Sequence, residues 1–284
     1  MGIYSDILLT VDFDRTLTAP DSTIPERNIE AIRHFIENGG AFTVNTGRSV
    51  PMIRVIAENV PLNAPLLLYN GSAAYDVKTK SFAFAHAIGM DMESTLAEVA
   101  RQFPDMVLEL QGVDAHYCYG KNEMWEAFSR KQNCPFAYLG EGVDPGPFLK
   151  FALYGQIREN SMSHLYEGSS EEIARMDVVQ RQLEEKWGDQ CAIFRAAPRI
   201  IDVQVKGVSK LRAARQLQQQ LGKKLLVCVG DGENDVTMLK GAEYAYCPAD
   251  GVVADRFENV CKCADGAVAD VIYKKIPKIL ENKP

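Results

Sequence analysis

The sequence predicts an α/β protein: a Rossmann-like, doubly wound parallel sheet interrupted by an inserted α+β domain. Three observations predict it. Apolar runs without alternation, such as Ile7-Leu8-Leu9-Thr10-Val11 and Leu225-Leu226-Val227-Cys228-Val229, read as strands buried on both faces, the mark of a parallel sheet. These runs stop at small and polar residues and lead into amphipathic helices, the βα rhythm of a doubly wound fold. Between about residues 83 and 205 that rhythm is lost, and afterwards it returns.

The first strand, residues 7–11, ends at Asp12-Phe13-Asp14. Ligands of an open α/β sheet sit beyond the carboxyl ends of its strands. Asp12 and Asp14 therefore stand at the mouth of a site, with Phe13 between them. A polar loop, Pro20 to Pro25, precedes a helix whose apolar stripe is Ile29, Ile32, Phe35 and Ile36, and Gly39-Gly40 ends it. Ala41 to Val44 is a second strand, stopping at Asn45-Thr46-Gly47-Arg48-Ser49. A helix is expected from about Pro51 to Asn59, then a third strand, Leu66 to Tyr69, stopping at Asn70-Gly71.

Within the insertion, strands come in neighbouring pairs: 106–110 with 115–119, and 191–195 with 200–205 about Ala197-Pro198. A further strand covers 148–154, and helices are expected over 91–102, 123–131 and 171–187. Paired strands with helices between them predict an antiparallel sheet with helices on one face. The βα pattern resumes at Lys206-Gly207-Val208-Ser209-Lys210, with a helix to Leu221 and the strand 225–229. That strand ends in Gly230-Asp231-Gly232-Glu233-Asn234-Asp235, and two short βα pieces complete the chain. The predicted division is a core of residues 1–82 and 206–284 and an inserted domain of residues 83–205.

Composition narrows the function. The 284 residues are 46% hydrophobic and 24% charged, ordinary for a globular protein. A net charge of −7 and a pI near 5.3 argue against a nucleic-acid partner, which needs a basic footprint. No apolar run approaches the roughly 20 residues of a membrane span, and the start lacks the pattern of a secretory leader. The seven cysteines, at 118, 134, 191, 228, 247, 261 and 263, have no zinc-knuckle spacing and read as reduced thiols of a cytoplasmic protein. A monomer or a homodimer is expected.

Four polar clusters then stand at strand or helix ends of one sheet: Asp12/Asp14, Thr46, Lys210 and Asp231/Asn234/Asp235. They supply what phosphoryl transfer needs: a carboxylate nucleophile, a proton shuttle, a hydroxyl and an ammonium for phosphate oxygens, and further acids for a metal. Mg²⁺ prefers few carboxylates, some waters and a phosphate oxygen, which suits Asp12 and Asp231. His34, His86, His116 and His164 stand in no such cluster and are not expected to be catalytic.

Taken in order, the clusters resemble the four motifs of the haloacid dehalogenase (HAD) superfamily of phosphohydrolases. The insertion between the second and third is similar to its type 2 cap, and Lys206 to Lys210 with Gly230 to Asp235 resembles the Cof-type, or IIB, branch with a C2B cap. The resemblance implies that Asp12 attacks phosphorus and that Asp14 handles the leaving-group proton. It implies that the Asp14 carbonyl, Asp12 and Asp231 bind Mg²⁺, and that Asp235 orients Lys210 or a metal water. Thr46, Lys210 and Asn234 would hold the phosphoryl group, with Gly47, Arg48 and Asn70 near the substrate. Asp235 has a further reading as a helix cap. The implied activity is a Mg²⁺-dependent phosphatase of a small-molecule phosphate ester, with sugar phosphates leading. The alternatives are a hexose phosphomutase and a non-catalytic phosphate-binding module.

Two departures from the resemblance stand out. Arg15 occupies a position where the family usually has Gly, and it is expected to meet a substrate anion or the carboxylate of Asp202. Cys247-Pro248-Ala249-Asp250 replaces a loop that often reads Met-Gly-Asn-Ala in Cof-type sequences.

Overall fold

The structure is a computed structural model that describes residues 2–140, 147–157, 165 and 167–281. His164 lies outside the described residues. In chain order the elements begin β1 (Ile7–Val11), α1 (Glu26–Glu37), β2 (Ala41–Val44), α2 (Arg54–Asn59), β3 (Leu66–Leu68), β4 (Ala73–Asp76) and β5 (Ser81–Ala85). Then follow α3 (Met92–Gln102), β6 (Val107–Gln111), β7 (His116–Cys118), α4 (Glu123–Lys131), β8 (Phe136–Tyr138), β9 (Lys150–Tyr154), α5 (Ser170–Trp187), β10 (Cys191–Ala197) and β11 (Ile200–Val205). The chain continues with α6 (Lys210–Gln220), β12 (Leu225–Val229), α7 (Val236–Gly241), β13 (Tyr244–Pro248), β14 (Glu258–Val260), α8 (Ala267–Asp270) and α9 (Ile276–Glu281). Its contacts divide it into two compact units. One is Met1–Gly47, Val55–Phe84 and Ser209–Pro284, and the other is Arg48–Arg54 with Ala85–Val208.

The first unit is built on a parallel sheet of order β14-β13-β12-β1-β2. Every residue of β1 is buried, Thr10 included, as its largely apolar run requires of a central strand. Leu8, Leu226 and Cys228 pack against Ala213, Ala214 and Leu217 of α6 and Met238 and Leu239 of α7. Because β1, β2 and β12 are parallel, Asp12, Thr46 and Asp231 all emerge at one edge.

The third strand takes a place the sequence did not suggest. β3 meets the main sheet through one parallel bridge, Asn45 to Leu67, and pairs antiparallel with β4 in a separate sheet, β3-β4-β5. The cause is a sharp reversal at Tyr69-Asn70-Gly71, whose φ angles of 51°, 50° and 99° turn the chain back into β4. The helix expected over 51–59 is also shorter. Met52 and Ile53 donate to Ser49 and Val50, closing a tight turn, and α2 begins only at Arg54.

The second unit is a mainly antiparallel sheet of order β10-β11-β9-β6-β7-β8, in which β7 and β8 alone are parallel among the described pairs. One face is apolar: Leu108, Leu110, Phe151, Leu153, Ile201 and Val203 pack against Leu96 and Val99 of α3 and Val179 and Leu183 of α5. Trp125 and Phe128 of α4 join a second apolar cluster with Val107, Cys118, Ala152 and Tyr154.

Glu109 is a buried carboxylate of this unit. It accepts from Gln111 Nε2 at 2.6 Å, Trp125 Nε1 at 2.6 Å and Tyr154 OH at 2.8 Å, with His116 Nδ1 at 3.3 Å. His116 Nε2 lies 2.7 Å from the hydroxyl of Ser49, in the Arg48–Arg54 segment that groups with this unit. Asp202, expected near Arg15, is buried and forms an ion pair with Lys150 at 2.9 Å.

Burial would push the Glu109 carboxyl up, but His116 and the hydrogen-bond donors outweigh it and hold it at about 2. An acid depressed in the folded state stabilises the fold above its unfolded value and loses that contribution as pH falls through its folded one. Acidification from about 4.5 toward 2 should therefore remove roughly 3 kcal/mol. Glu109→Gln should melt lower than wild type at pH 7, and the gap should close across that window. A gap independent of pH would refute the assignment.

Candidate active site

The site is assembled where β1, β2 and β12 end. The Asp12 amide donates to the Val229 carbonyl at 2.9 Å, carrying the β1–β12 ladder one residue past the strand. The chain then turns through Phe13–Leu17, with Asp14 extended (φ −74°, ψ 124°) and Arg15 left-handed (φ 62°, ψ 10°). This turn brings the Thr16 hydroxyl to Asp231 Oδ1, donating at 3.0 Å.

Helix α6 delivers Lys210. The Ser209 hydroxyl caps it by accepting from the Arg212 amide at 3.1 Å, and Asn45 Nδ2 donates to the Lys210 carbonyl at 2.9 Å. Gly71 permits this close approach: a Cβ there would lie 2.3 Å from the Ser209 carbonyl oxygen. The Lys210 ammonium is 1% exposed and bridges two carboxylates, Asp12 Oδ1 and Asp235 Oδ1, at 2.6 Å each.

Asp235 is wholly buried. Its Oδ2 accepts from the amides of Asp231 and Gly232 at 3.1 and 3.0 Å, so it pins the β12 loop while its other oxygen holds Lys210. Gly230 leaves room for it, since a Cβ there would stand 2.6 Å from the Asp235 side chain. The Cys247 to Asp250 stretch, which ends β13 and turns out of it, leads to Gly251, where a Cβ would stand 3.1 Å from the Asp231 Cβ, and the Val253 amide donates to the Asp231 carbonyl. This divergent stretch therefore backs Asp231.

Charge is crowded here. Burial, then the neighbouring Asp235, push Asp231 up to about 7 despite the Thr16 hydrogen bond. Burial likewise raises Asp12, with Lys210 opposing and Asp235, Asp231 and Asp14 adding to the rise. Lys210 is held protonated: burial opposes its charge, but Asp12 and Asp235 more than offset that. Oxygens of Asp12, Asp231 and Asp235 lie within 4.8 Å of one another. Buried oxygen donors that repel one another and have only one ammonium among them fit a hard divalent cation such as Mg²⁺.

The structure thus brings Asp12, Lys210, Asp231 and Asp235 into one cluster. Asp14 is half-buried, two residues beyond Asp12. Thr46 is buried at the end of β2, with its amide on Leu67 and its carbonyl accepting from the Asn70 amide at 3.0 Å. Gly47 faces Asn70, where a Cβ would stand 2.9 Å from Asn70 Oδ1, and the Asn234 side chain lies against Gly232 in the same way. Arg48 groups by its contacts with the second unit. Thr16 and Asn45 are positioning residues that sequence reasoning passed over. Their signal was only their place at the strand ends.

The sequence profile of the haloacid dehalogenase-like hydrolases matches residues 9–254. A 5-amino-6-(5-phospho-D-ribitylamino)uracil phosphatase of Bacillus subtilis is 24% identical over 238 residues, 83% of this chain and 80% of its own. The crystal structure of a haloacid dehalogenase-like hydrolase from Bacteroides thetaiotaomicron superposes with a TM-score of 0.76 at 18% identity, covering 93% of this chain and 97% of that one. A HAD subclass IIB sugar phosphatase superposes with a TM-score of 0.73 at 18% identity, covering 93% and 97%. A profile spanning most of the sequence, on a fold shared over nearly its whole length, settles the family: the chain belongs to the haloacid dehalogenase-like hydrolases, in their Cof-type branch.

Proposed function

We propose that the protein is a Mg²⁺-dependent phosphatase that hydrolyses a small phosphorylated metabolite, with a sugar phosphate as the leading class, through an aspartyl phosphate on Asp12. The observation that carries this reading is the Lys210 ammonium held between Asp12 and Asp235, with Asp231 beside them, at the carboxyl edge of the parallel sheet. The named relatives support the substrate class: one is a phosphatase of a phosphoribitylamino compound, another a sugar phosphatase.

An Asp12 oxygen attacks phosphorus as the ester P–O bond breaks, and Asp14 gives its proton to the departing alkoxide. Asp14 then takes a proton from water, which attacks the phosphorylated Asp12. Inorganic phosphate leaves and the Asp12 carboxylate is restored. Lys210 fixes Asp12 and neutralises charge on the phosphoryl oxygens, with Thr46 and Asn234 as further donors. Asp235 holds Lys210 and the Asp231 loop in place. Asp12, the Asp14 carbonyl and Asp231 would hold Mg²⁺, with Asp235 completing the acidic cluster around it. The bound cation would offset repulsion between these acids and a phosphate dianion and polarise the phosphoryl group.

Residues 83–205 take the part of the cap. The cytoplasm is the compartment we assign, since all seven cysteines are unbridged. Among the described residues no helix is long and apolar enough to cross a membrane.

The test is phosphate release across several dozen phosphorylated metabolites, with Mg²⁺ and with chelator. Activity should vanish with chelator and return with Mg²⁺, and Asp231→Ala should raise the Mg²⁺ concentration required. A chelator-resistant enzyme would overturn the metal assignment, and a phosphoryl group retained on the sugar would favour a mutase.

A further inference from the structure

Arg15 is the residue of the nucleophile loop that this mechanism leaves unused. It sits at φ 62°, in the left-handed region that glycine occupies without penalty and that a long side chain rarely adopts. The loop fixes that conformation: the Arg15 amide donates to Thr18 Oγ1 at 3.1 Å and the Thr18 amide to the Phe13 carbonyl at 3.0 Å. The side chain is exposed.

Several arginines are matched to carboxylates, among them Arg27 to Asp270 at 2.9 Å, Arg175 to Asp105 at 2.7 Å, Arg195 to Asp177 at 2.8 Å and Arg215 to Glu243 at 2.6 Å, whereas Arg101 and Arg181 stand exposed on helices far along the chain from the catalytic residues. Among the described residues Arg15 has no such partner. Its charge nevertheless reaches the cluster, where it acts on Asp231. Lys210, the ammonium of that cluster, is already bonded to two carboxylates. An unmatched, exposed guanidinium is thus held one residue from Asp14, in a backbone conformation that costs the fold.

Resting on the phosphatase reading above, we propose that Arg15 is a specificity-determining residue whose guanidinium binds a second anionic group of the substrate, apart from the phosphoryl group transferred. The planar fork of arginine matches a phosphate or a carboxylate through two parallel hydrogen bonds. The substrate class is therefore a phosphate ester that carries a further phosphate or a carboxylate.

The experiment uses the full chain as wild type, Arg15→Gly and Arg15→Lys. It compares kcat/KM within two matched pairs: fructose 1,6-bisphosphate with fructose 6-phosphate, and 6-phosphogluconate with glucitol 6-phosphate. Wild type should favour the doubly anionic member of one pair by about 10-fold or more. Arg15→Gly should bring that ratio near one, mainly through KM, and Arg15→Lys should fall between. The bisphosphate pair responding identifies a second phosphate; the gluconate pair responding identifies a carboxylate.

Glycine is at home at this φ, so Arg15→Gly should fold and melt no lower than wild type. A purely structural Arg15 would change all four compounds alike and leave the ratios untouched. An unchanged ratio in Arg15→Gly overturns the proposal, as does a wild type that hydrolyses these esters or p-nitrophenyl phosphate with no preference in either pair. A wild type that releases phosphate from none of them overturns the phosphatase reading itself, and this inference with it.

Discussion

With Asp12 replaced by Asn, phosphate release should fall by about 10⁴-fold or more, while the metal-free protein melts at the same or a higher temperature. The amide keeps the size and shape of the carboxylate but is no nucleophile, so no aspartyl phosphate forms. The stability half of the prediction comes from charge. Asp12 is buried beside Asp231, Asp235 and Asp14, and its carboxyl is raised well above the ordinary range even with Lys210 bonded to it. An acid raised in the folded state opposes folding wherever it is ionised, so removing its charge relieves the fold at neutral pH. Lys210 keeps Asp235 as a partner at 2.6 Å. Steady-state phosphate release and thermal melting in chelator read the two halves separately. Turnover close to wild type would remove Asp12 as the nucleophile. A lower melting temperature would show that the bond to Lys210 outweighs the crowding.

Asp14→Asn should divide substrates by leaving group. A sugar alkoxide leaves poorly without a proton, so its hydrolysis should slow by about 10²–10⁴-fold, the usual worth of general acid catalysis. p-Nitrophenolate leaves unaided, and formation of the phosphoenzyme from its ester should change far less. Asp14 is suited to this separate role because the backbone turns sharply after it. The extended Asp14 is followed by left-handed Arg15, and its side chain stands half-buried while Asp12 is buried among its partners. Single-turnover release of nitrophenolate, measured beside sugar-phosphate hydrolysis, checks it. Equal losses on both would take Asp14 out of proton transfer.

The legible parts of the fold were those whose burial is uniform. β1 and β12 are apolar runs because both faces are covered, and a run of that kind announces itself without partners. Residues 73–76, 81–85 and 136–138 carry no clear strand signal in the sequence. β5 alternates half-buried and exposed positions in a small sheet, and β8 has three residues, none fully buried, so neither leaves a strong period. The reversal at Tyr69-Asn70-Gly71 was invisible because two non-glycine residues adopt positive φ there.

At the site, the residue types were readable at strand ends, but the wiring between them was not. Nothing local in Thr16 points to Asp231, 215 positions away. Nor does Asp235 show in sequence that both of its oxygens are engaged by Lys210 and the loop amides. His116 stands outside the catalytic clusters, and its buried partner Glu109 is foreshadowed only by Glu109 and Gln111 alternating within an apolar strand, a pattern that asks for buried partners.

The strand order has a consequence for how the protein is made. β1 lies between β2 and β12, so the middle of the main sheet pairs residues 7–11 with residues 225–229. On the ribosome, β1 and β2 emerge early, and when β2 has been made at Val44 the partner for the other edge of β1 does not begin until Leu225. At ordinary elongation rates that edge waits about 10–40 s. For that interval a largely apolar strand offers an unpaired row of amides and carbonyls to any other nascent chain. The second unit, whose own sheet is closed within 107–205, can fold during the same interval. Production of this protein is thus most exposed to aggregation before β12 arrives, and slower initiation or a holdase chaperone should raise the soluble yield more than any substitution in the finished core.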